Sequence, residues 1–215
     1  MNLLTAHNGP MTAQIQDGRA NQKQRTRAAI VDATRDLVRS GAEITMPAVA
    51  RAALVSEATA YRYFPDLVSL LHEALAGVWA SPAEALEPVA HLDDPVERIA
   101  YATEYLLRHV QAYQGAVRAM ISASITKPGA AALRPGQRFG LIDYALAPLE
   151  DSLTRHDPAA FESLQHALAM VVSAEALFTL TDLVGLSPDE AIDCAVQVAR
   201  TITAAAWETC RGATC

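Results

Sequence analysis

The stretch TMPAVARAALVSEATAYRYF, residues 45–64, decides how the first part of this chain folds. Thr45 and Ser56 each precede a short run without glycine, and both carry the kind of hydroxyl that caps a helix N-terminus. Pro47 falls in the first turn of the first run, where its missing N–H costs nothing. The stretch therefore predicts two short helices joined by a tight turn, which is typical of a helix-turn-helix.

The side chains of this stretch divide into a packing set and an outward set. Small apolar residues such as Val49, Ala50 and Ala60 allow the two helices to cross at a steep angle. Ser56 caps the second helix, whose first amides then point outward and suit a phosphate. The other outward side chains are expected to face the major groove of DNA or its rim. They are Glu57, Ala58, Thr59, Tyr61 and Arg62.

Helical periodicity continues on both sides of this stretch. Before it, residues 22–40 form a predicted helix that ends at Gly41. After it, Pro65 breaks the chain and Asp66 caps a fourth helix, expected to reach about Trp79. No stretch alternates with period two, so the predicted fold class is all-α. The later predicted helices cover residues 94–113, 115–125, 137–155, 157–184 and 188–207.

Composition and charge support a folded chain with one basic region. Hydrophobic residues make up 51% of the chain and charged residues 19%, which is enough apolar material for a sizeable core. Residues 19–64 hold eight basic and four acidic side chains, a net charge of +4. Since the whole chain carries −7, the remainder carries −11. This asymmetry fits a nucleic-acid-binding face on an acidic body, and by itself it also fits an ordinary acidic helical protein.

Neither the N-terminus nor the cysteines indicate export. Residues 1–22 have no apolar core flanked by basic residues, and their polar composition favours a flexible arm over residues 1–20. The three cysteines show neither zinc spacing nor a disulfide framework. Residues 164–184, the most apolar segment, contain charged side chains and are interpreted as a buried helix. We therefore expect a cytoplasmic protein with no membrane partner.

Residues 28–71 resemble the TetR family of bacterial transcriptional regulators. The Thr-x-Tyr-x-Tyr-Phe pattern at residues 59–64 is the most specific part, because it follows this helix and this turn. The rest of the chain resembles the family only in its helical layout. The matching stretches are AAIVDATRDLVRSG at 28–41, ITMPAVARAALVS at 44–56 and ATAYRYFPDLVSLL at 58–71.

The resemblance implies a ligand-responsive repressor. Such a protein binds a palindromic operator in double-stranded DNA as a homodimer and is released by a small-molecule effector. Its fold would combine a three-helix helix-turn-helix DNA-binding domain, residues 21–66, with a larger helical ligand-binding and dimerisation domain, residues 67–215. The fourth helix would link the two domains as a lever. No cofactor is implied.

The resemblance also assigns roles within the first domain. Thr45, Arg62 and Tyr63 would hold phosphates, and the first residues of the second short helix would touch base edges. Tyr61 would lie against a thymine methyl group or the DNA backbone. Arginines just before or within the first helix would reach the backbone or the minor groove. The residues expected to contact DNA are therefore Arg25, Arg27, Thr45, Ser56, Glu57, Ala58, Thr59, Tyr61, Arg62 and Tyr63.

Three residues are unusual for this family. Leu54 stands where the family often has glycine, and a leucine with positive φ costs about 1 kcal/mol or more. Leu67 stands where lysine is common, so we expect one phosphate contact fewer and a salt dependence flatter by about two units per dimer. The carboxylate of Glu57 would repel phosphate, although it can accept a hydrogen bond from a cytosine amine.

A ligand pocket in the C-terminal domain is also expected from the resemblance. Tyr101, Tyr105 and His109 share one face of their predicted helix. That face would be an inward aromatic lining or a partly exposed surface with a satisfied histidine. Further pocket candidates are Arg118, Met120, Phe139, Asp143, His166, Met170 and Phe178.

Glu175 is another pocket candidate because it interrupts an apolar helical stripe within residues 164–178. A carboxylate in such a stripe must find a partner. The partner would be a ligand cation, solvent at a dimer edge, or an arginine such as Arg118 or Arg138. An internal ion pair is the commonest of these arrangements.

The last two long predicted helices, residues 157–184 and 188–207, are apolar on more than one face and rich in alanine. A helix that is apolar all round is buried on both sides. We expect a second copy of the chain to cover them, which would place two recognition helices about 34–36 Å apart. The alternative is that both helices lie in the core of the monomer.

No motif of an enzyme or a metal site is present in the sequence. There is no nucleophile elbow, no glycine-rich phosphate loop, no HExxH and no paired-ligand spacing. We therefore predict neither catalytic nor metal-ligating residues. Two alternatives remain open: a helical binding or assembly protein whose helix-turn-helix has lost DNA binding, and a helical enzyme that uses a C-terminal cavity.

Overall fold

The structure, a computed structural model, describes residues 10–126 and 136–212. All regular secondary structure within these ranges is helical, which confirms the all-α prediction. A short 3-10 turn covers Glu87–Val89, and a π-helical turn covers Thr179–Val184. The α-helices are α1 (Pro10–Ser40), α2 (Met46–Ala52), α3 (Glu57–Tyr63), α4 (Leu67–Ala74), α5 (Pro82–Ala85), α6 (Pro95–Ala112), α7 (Gln114–Thr126), α8 (Gln137–His156), α9 (Pro158–Val171), α10 (Ala174–Phe178) and α11 (Pro188–Gly212).

The chain divides into two compact units. The first comprises residues 1–75 and 118–133, and the second comprises residues 76–117 and 134–215. The expected domain boundary after residue 66 differs from this division, because α4 packs against α1 and so belongs to the first unit.

The first unit is built on α1, which packs against both α2 and α4. The side-chain caps predicted for the short helices are present in the structure. Thr45 accepts a hydrogen bond from the amide of Ala48, and Ser56 accepts one from the amide of Thr59, each at 3.2 Å. Asp66 accepts from the amide of its third helical residue at 2.8 Å. The buried core includes Ile30, Val31, Val49, Phe64, Leu70 and Leu71.

Two helix boundaries in this unit differ from prediction. The expected arm is helical from Pro10 onward, because proline suits a first helical turn and good helix formers follow it even without an apolar stripe. Residues 1–9 lie outside the described ranges. The fourth helix ends at Ala74 rather than near Trp79, and Gly77 follows with a left-handed φ of 79°. Glycine adopts this conformation at little cost, so it ends the helix here.

The second unit is organised around α6, which packs against α8 and α11. Ion pairs join Glu97 to Arg200 and Arg108 to Asp189, so α6 and α11 run antiparallel. The Arg200 guanidinium lowers the pKa of the Glu97 carboxyl below its usual value. A capping box opens α11: the amide of Ser187 donates to the carboxylate of Glu190 at 2.9 Å, and the amide of Glu190 donates to the hydroxyl of Ser187 at 3.4 Å. The buried core includes Ile99, Leu107, Leu141, Ile142, Leu146, Leu168 and Ile192.

The predicted helix over residues 157–184 is in fact broken. Helix α9 ends at Val171, and Ser173 caps α10 by accepting a hydrogen bond from the amide of Ala176 at 3.0 Å. The two segments meet at an angle of 43°. Ser173 is buried, so its hydroxyl must bond locally, which favours a new N-terminus over a continuous helix. Within the described ranges, no single helix is long and apolar enough to cross a membrane; this bent pair meets that measure only when both halves are counted together.

A buried arginine holds part of the second unit together. Arg98 of α6 is 6% exposed, and its guanidinium donates to the carbonyls of Ala145 (3.1 Å), Ala90 (3.2 Å) and Tyr144. Pro148 lies within α8 and has no N–H to donate to the Tyr144 carbonyl four residues earlier. Arg98 therefore satisfies a backbone carbonyl that the helix itself leaves without a donor.

Candidate nucleic-acid interface

The turn between α2 and α3 has a defined hydrogen-bond pattern. The amide of Leu54 donates to the carbonyl of Arg51 at 3.1 Å, and the amide of Val55 donates to the carbonyl of Ala50 at 3.0 Å. This pair of bonds forms the Schellman ending of a helix, in which one residue adopts a left-handed conformation. Here that residue is Leu54, with a φ of 55°. The turn therefore keeps the usual geometry with a leucine in the glycine position.

Helix α3 has one buried face and one exposed face. Ala60 and Phe64 are buried and anchor the helix to the rest of the first unit. Glu57, Ala58 and Arg62 are exposed, and the Tyr61 side chain is 48% exposed. Because these positions are spaced one and four residues apart, they lie on one side of the helix. The structure thus brings together four of the residues predicted to face DNA.

Thr59 and Tyr63 lie at the edge of that exposed face. Both are half-buried. The hydroxyl of Thr59 lies 2.9 Å from that of Ser56, and the ring of Tyr63 lies under the Arg62 guanidinium at 5.6 Å. Both contacts join residues of α3 and its N-cap, so Thr59 and Tyr63 help to position Ser56 and Arg62 at the exposed face.

The hydroxyl of Thr45 is half-buried at the start of α2. Its oxygen accepts from the Ala48 amide, as a helix cap does. The hydroxyl proton remains free to donate to a phosphate oxygen, so capping and phosphate binding are compatible at this residue.

Four exposed cations on α1, α2 and α3 have no carboxylate partner among the described residues. Lys23, Arg25, Arg51 and Arg62 are exposed and form no ion pair with any residue in the described ranges. In contrast, Arg35 and Arg39 of α1 pair with aspartates three residues earlier. Unpaired cations are the ones that can neutralise phosphates at no internal cost.

Arg27 does not lie where the sequence analysis expected it. Its guanidinium pairs with Glu73 of α4, with Nε 3.1 Å from Oε1, and donates to the carbonyl of Tyr63 at 3.4 Å. It also lies over the ring of Phe64, 4.4 Å from the centroid. The cause is the packing of α4 on α1, which brings together residues distant in sequence. Arg27 thus braces α1, α4 and the end of α3, in place of its expected contact with DNA.

The second unit contains an aromatic cluster around the predicted face of α6. The rings of Tyr105 and His109 lie 4.3 Å apart, and Trp79 lies 5.4 Å from His109. Tyr101, on the same helix, is half-buried. Burial raises the pKa of the Tyr105 phenol, while a backbone hydrogen bond with Ala80 partly opposes that shift. Sequence analysis missed Trp79 because it placed this residue in a continuing helix.

The buried Nε1 of Trp79 has no hydrogen-bond partner among the described residues. An indole N–H left in this way costs free energy unless a polar group reaches it. The cluster of Trp79, Tyr105 and His109 therefore contains a buried donor that no described residue satisfies.

Glu175 finds one of its two predicted arginine partners. Its carboxylate lies 3.4 Å from the guanidinium of Arg138, which also lies over the ring of Phe139 at 5.3 Å. Both members of the pair remain partly exposed. The bend between α9 and α10 takes Glu175 out of the straight apolar stripe assumed from the sequence.

The remaining pocket candidates do not gather at one place. Met120 is buried, and it lies with Arg118 on the part of α7 assigned to the first unit. The carboxylate of Asp143 accepts a hydrogen bond from the side-chain amide of Gln165 at 2.8 Å on the surface of the second unit. The other candidates there are exposed or half-buried: Phe139, His166, Met170 and Phe178.

Helix α11 has a buried face of small residues and an exposed face that contains few charges. Ala191, Ala195 and Ala199 are buried against the rest of the second unit. The exposed face includes Cys194 and Val198. Residues 157–184, the other part of the predicted dimer surface, also leave large apolar side chains exposed: Met170, Leu183 and Val184.

No family model and no curated protein matches the sequence. Within the described ranges, no group of three or more His, Cys, Asp or Glu side chains could hold a metal ion. The functional assignment therefore depends on the geometry of the helix-turn-helix.

Proposed function

We propose that this chain is a DNA-binding transcriptional regulator of the TetR type, acting as a repressor on a palindromic operator. The observation that carries the proposal is the exposed face of α3, where Tyr61 and Arg62 project beside Ala58 while Ala60 and Phe64 hold the helix from behind. A helix presented in this way fits the recognition role in a helix-turn-helix.

The dimensions of α3 suit a DNA groove. It contains seven residues, which span about 10 Å at 1.5 Å per residue. The major groove of B-DNA is about 12 Å wide and admits one helix. Tyr61 supplies an apolar ring for a thymine methyl group, and Glu57 supplies an acceptor for a cytosine amine. Base readout is therefore available from one face of one short helix.

The unpaired cations around this face supply the electrostatic part of binding. Each phosphate neutralised by a cation releases condensed counterions, and that release dominates affinity. Lys23 and Arg25 on α1, Arg51 on α2 and Arg62 on α3 are free to do this. The acidic remainder of the chain repels DNA and so confines binding to this face.

Dimerisation and ligand response complete the proposal. Two copies joined through the exposed face of α11 would present two α3 helices to successive major grooves, about 34–36 Å apart. We assume two conformations of the dimer, one with the α3 helices spaced for the operator and one with them wrongly spaced. A small aromatic or polar effector in the Trp79 cluster would release the operator by binding the second conformation more tightly. The size of the effect is set by the difference between its affinities for the two conformations. Such a regulator would work in the cytoplasm.

The alternative function is a helical binding or assembly protein that does not bind DNA. The exposed carboxylate of Glu57 at the start of α3 favours it, because it repels phosphates. The wild-type chain can be tested against a pool of random duplexes, and any retained sequence then serves as the probe. Failure to retain a duplex at low salt would favour this alternative over the regulator.

The double substitution Tyr61→Ala with Arg62→Ala should lower affinity for the selected duplex about 100-fold, because it removes one base contact and one phosphate contact per half-site. Both side chains are exposed, so the thermal midpoint should hardly change. Fluorescence anisotropy measures the affinity, and circular dichroism measures the midpoint. Arg108→Ala, an exposed arginine on α6 in the second unit, is the matched control and should leave affinity unchanged. Wild-type affinity in the double variant would exclude α3 as the recognition helix.

Arg25 and Arg27 should respond differently when each is replaced by methionine. Arg25→Met should flatten the slope of log affinity against log salt by about two units per dimer, because each subunit loses one phosphate contact. Arg27→Met should leave that slope unchanged and instead lower the free energy of unfolding by about 1–2 kcal/mol, through loss of the Glu73 pair and the Phe64 contact. Anisotropy titrations between about 50 and 200 mM salt check both results. Equal slopes for both variants would contradict the assignment of Arg25 to DNA.

A further inference from the structure

Leu54, in the turn between α2 and α3, is unfavourable to the fold in two separate ways. Among residues in the described ranges, it is the sole non-glycine with a positive φ, at 55°. A side chain with a Cβ destabilises that conformation relative to glycine. Its side chain is also 93% exposed, more than any other large apolar residue among those described. The side chain therefore contributes almost no buried contact in return for its strain.

The turn itself does not need a leucine. Its hydrogen bonds, from the amides of Leu54 and Val55 to the last turn of α2, use backbone atoms alone. A glycine would form the same bonds without strain and without exposed apolar surface. A residue that is strained and apolar without benefit to folding is a reason to look for a role outside the fold.

The position of Leu54 indicates what it would touch. It stands three residues before Glu57 and two before Ser56, the cap of the proposed recognition helix. Arg51, exposed and without an ion pair in the described ranges, lies in the last turn of α2, three residues before Leu54. A duplex that accepts α3 in its major groove and a phosphate at Arg51 thus meets the Leu54 side chain between them.

We propose that Leu54 is a specificity residue of the DNA interface, whose isobutyl group packs against the C5-methyl group of a thymine in each half-site. The inference rests on the proposed DNA-binding function. Thymine methyls are the apolar groups that the major groove offers to protein side chains. Contact with the DNA would also remove the apolar surface of this leucine from water, and that burial would contribute to the free energy of binding. A half-site without thymine at that position would be bound more weakly.

The test replaces thymine by deoxyuridine, which lacks only the methyl group, in the duplex selected by the wild-type chain. Thymines are replaced in symmetric pairs, one pair at a time. At the contacted pair, wild-type affinity should fall about fourfold per half-site, or about fifteenfold for a dimer. L54G and L54A should bind the thymine duplex at least about fifteenfold more weakly than wild type, and should bind the thymine and deoxyuridine duplexes equally.

Stability separates this role from a structural one. L54G should keep or raise the thermal midpoint, since it relieves the positive φ, while its affinity for DNA falls. L54A keeps the strained conformation and should show the same loss of affinity without the gain in stability. Ile125→Ala, a similarly exposed aliphatic residue of α7 with no role in the proposed interface, is the matched control and should change neither affinity nor methyl sensitivity.

Three results would overturn the inference. The first is unchanged affinity of L54G for the thymine duplex. The second is a wild-type affinity that is the same for the thymine duplex and for every deoxyuridine duplex. The third is a change of oligomeric state in L54G without loss of DNA affinity. Each requires that the wild-type chain binds a duplex. A wild-type chain that binds none contradicts the proposed function itself, so the two failures are distinguishable.

Discussion

Replacing Arg98 with methionine should lower the free energy of unfolding of the second unit by about 3 kcal/mol or more. Methionine nearly fills the volume of the arginine stem but donates no hydrogen bond. The carbonyls of Ala145, Ala90 and Tyr144 would then lose donors in a buried place, and each such group costs about 1–3 kcal/mol. The Tyr144 carbonyl is the most affected, because Pro148 cannot donate to it.

This result can be measured without interference from the first unit. The chain has two tryptophans, Trp79 and Trp207, and both lie in the second unit. Urea unfolding followed by tryptophan fluorescence therefore reports that unit. Arg108→Met is the matched control: the same residue type on the same helix, but exposed and paired with Asp189. It should cost less than about 1 kcal/mol. Equal losses in the two variants would show that the buried carbonyls do not depend on Arg98.

Replacing Phe64 with alanine should destabilise the first unit by about 3–5 kcal/mol, the usual cost of removing a buried phenyl ring. Phe64 is 2% exposed and lies at the end of α3 under the Arg27 guanidinium. Its loss removes both the apolar anchor of α3, the proposed recognition helix, and the surface on which Arg27 rests. We therefore expect DNA affinity to fall along with stability.

Hydrogen exchange of the amides in α1 to α4 measures this loss where it occurs. Phe64→Leu conserves most of the volume and should cost less than about 1.5 kcal/mol while it keeps DNA binding. Phe139→Ala removes a ring that is 52% exposed and should leave exchange in the first unit unchanged. Unaltered amide protection in Phe64→Ala would contradict the anchoring role.

The features of α2, α3 and α4 that could be predicted from the sequence are those set by short-range interactions. Thr45, Ser56 and Asp66 each cap a helix through an amide three residues away. Such contacts close within one turn of chain, so the residue types around them predict the helix starts. The left-handed turn at Leu54 and the two faces of α3 depend on the same short range.

Contacts between distant segments could not be predicted in this way. The family resemblance assigned Arg27 to DNA from its place in the first helix, yet Glu73, 46 residues away in sequence, pairs with its guanidinium. Glu175 was known to need a partner, but which arginine supplies it depends on how α8 packs on α9. Arg98 carried no signal in the sequence, since its acceptors are backbone carbonyls and every residue has one.

The sequence by itself determined the all-α class and the starts of the short helices α2, α3 and α4, because periodicity and caps act between residues at most four apart. The tertiary structure alone decided which arginines pair with carboxylates and which backbone carbonyls Arg98 satisfies. Those outcomes depend on burial and on charges that come together when helices pack, and residue order does not encode such distances directly. Packing of α4 on α1 pairs Arg27 with Glu73, whereas Arg25 keeps no carboxylate partner among the described residues.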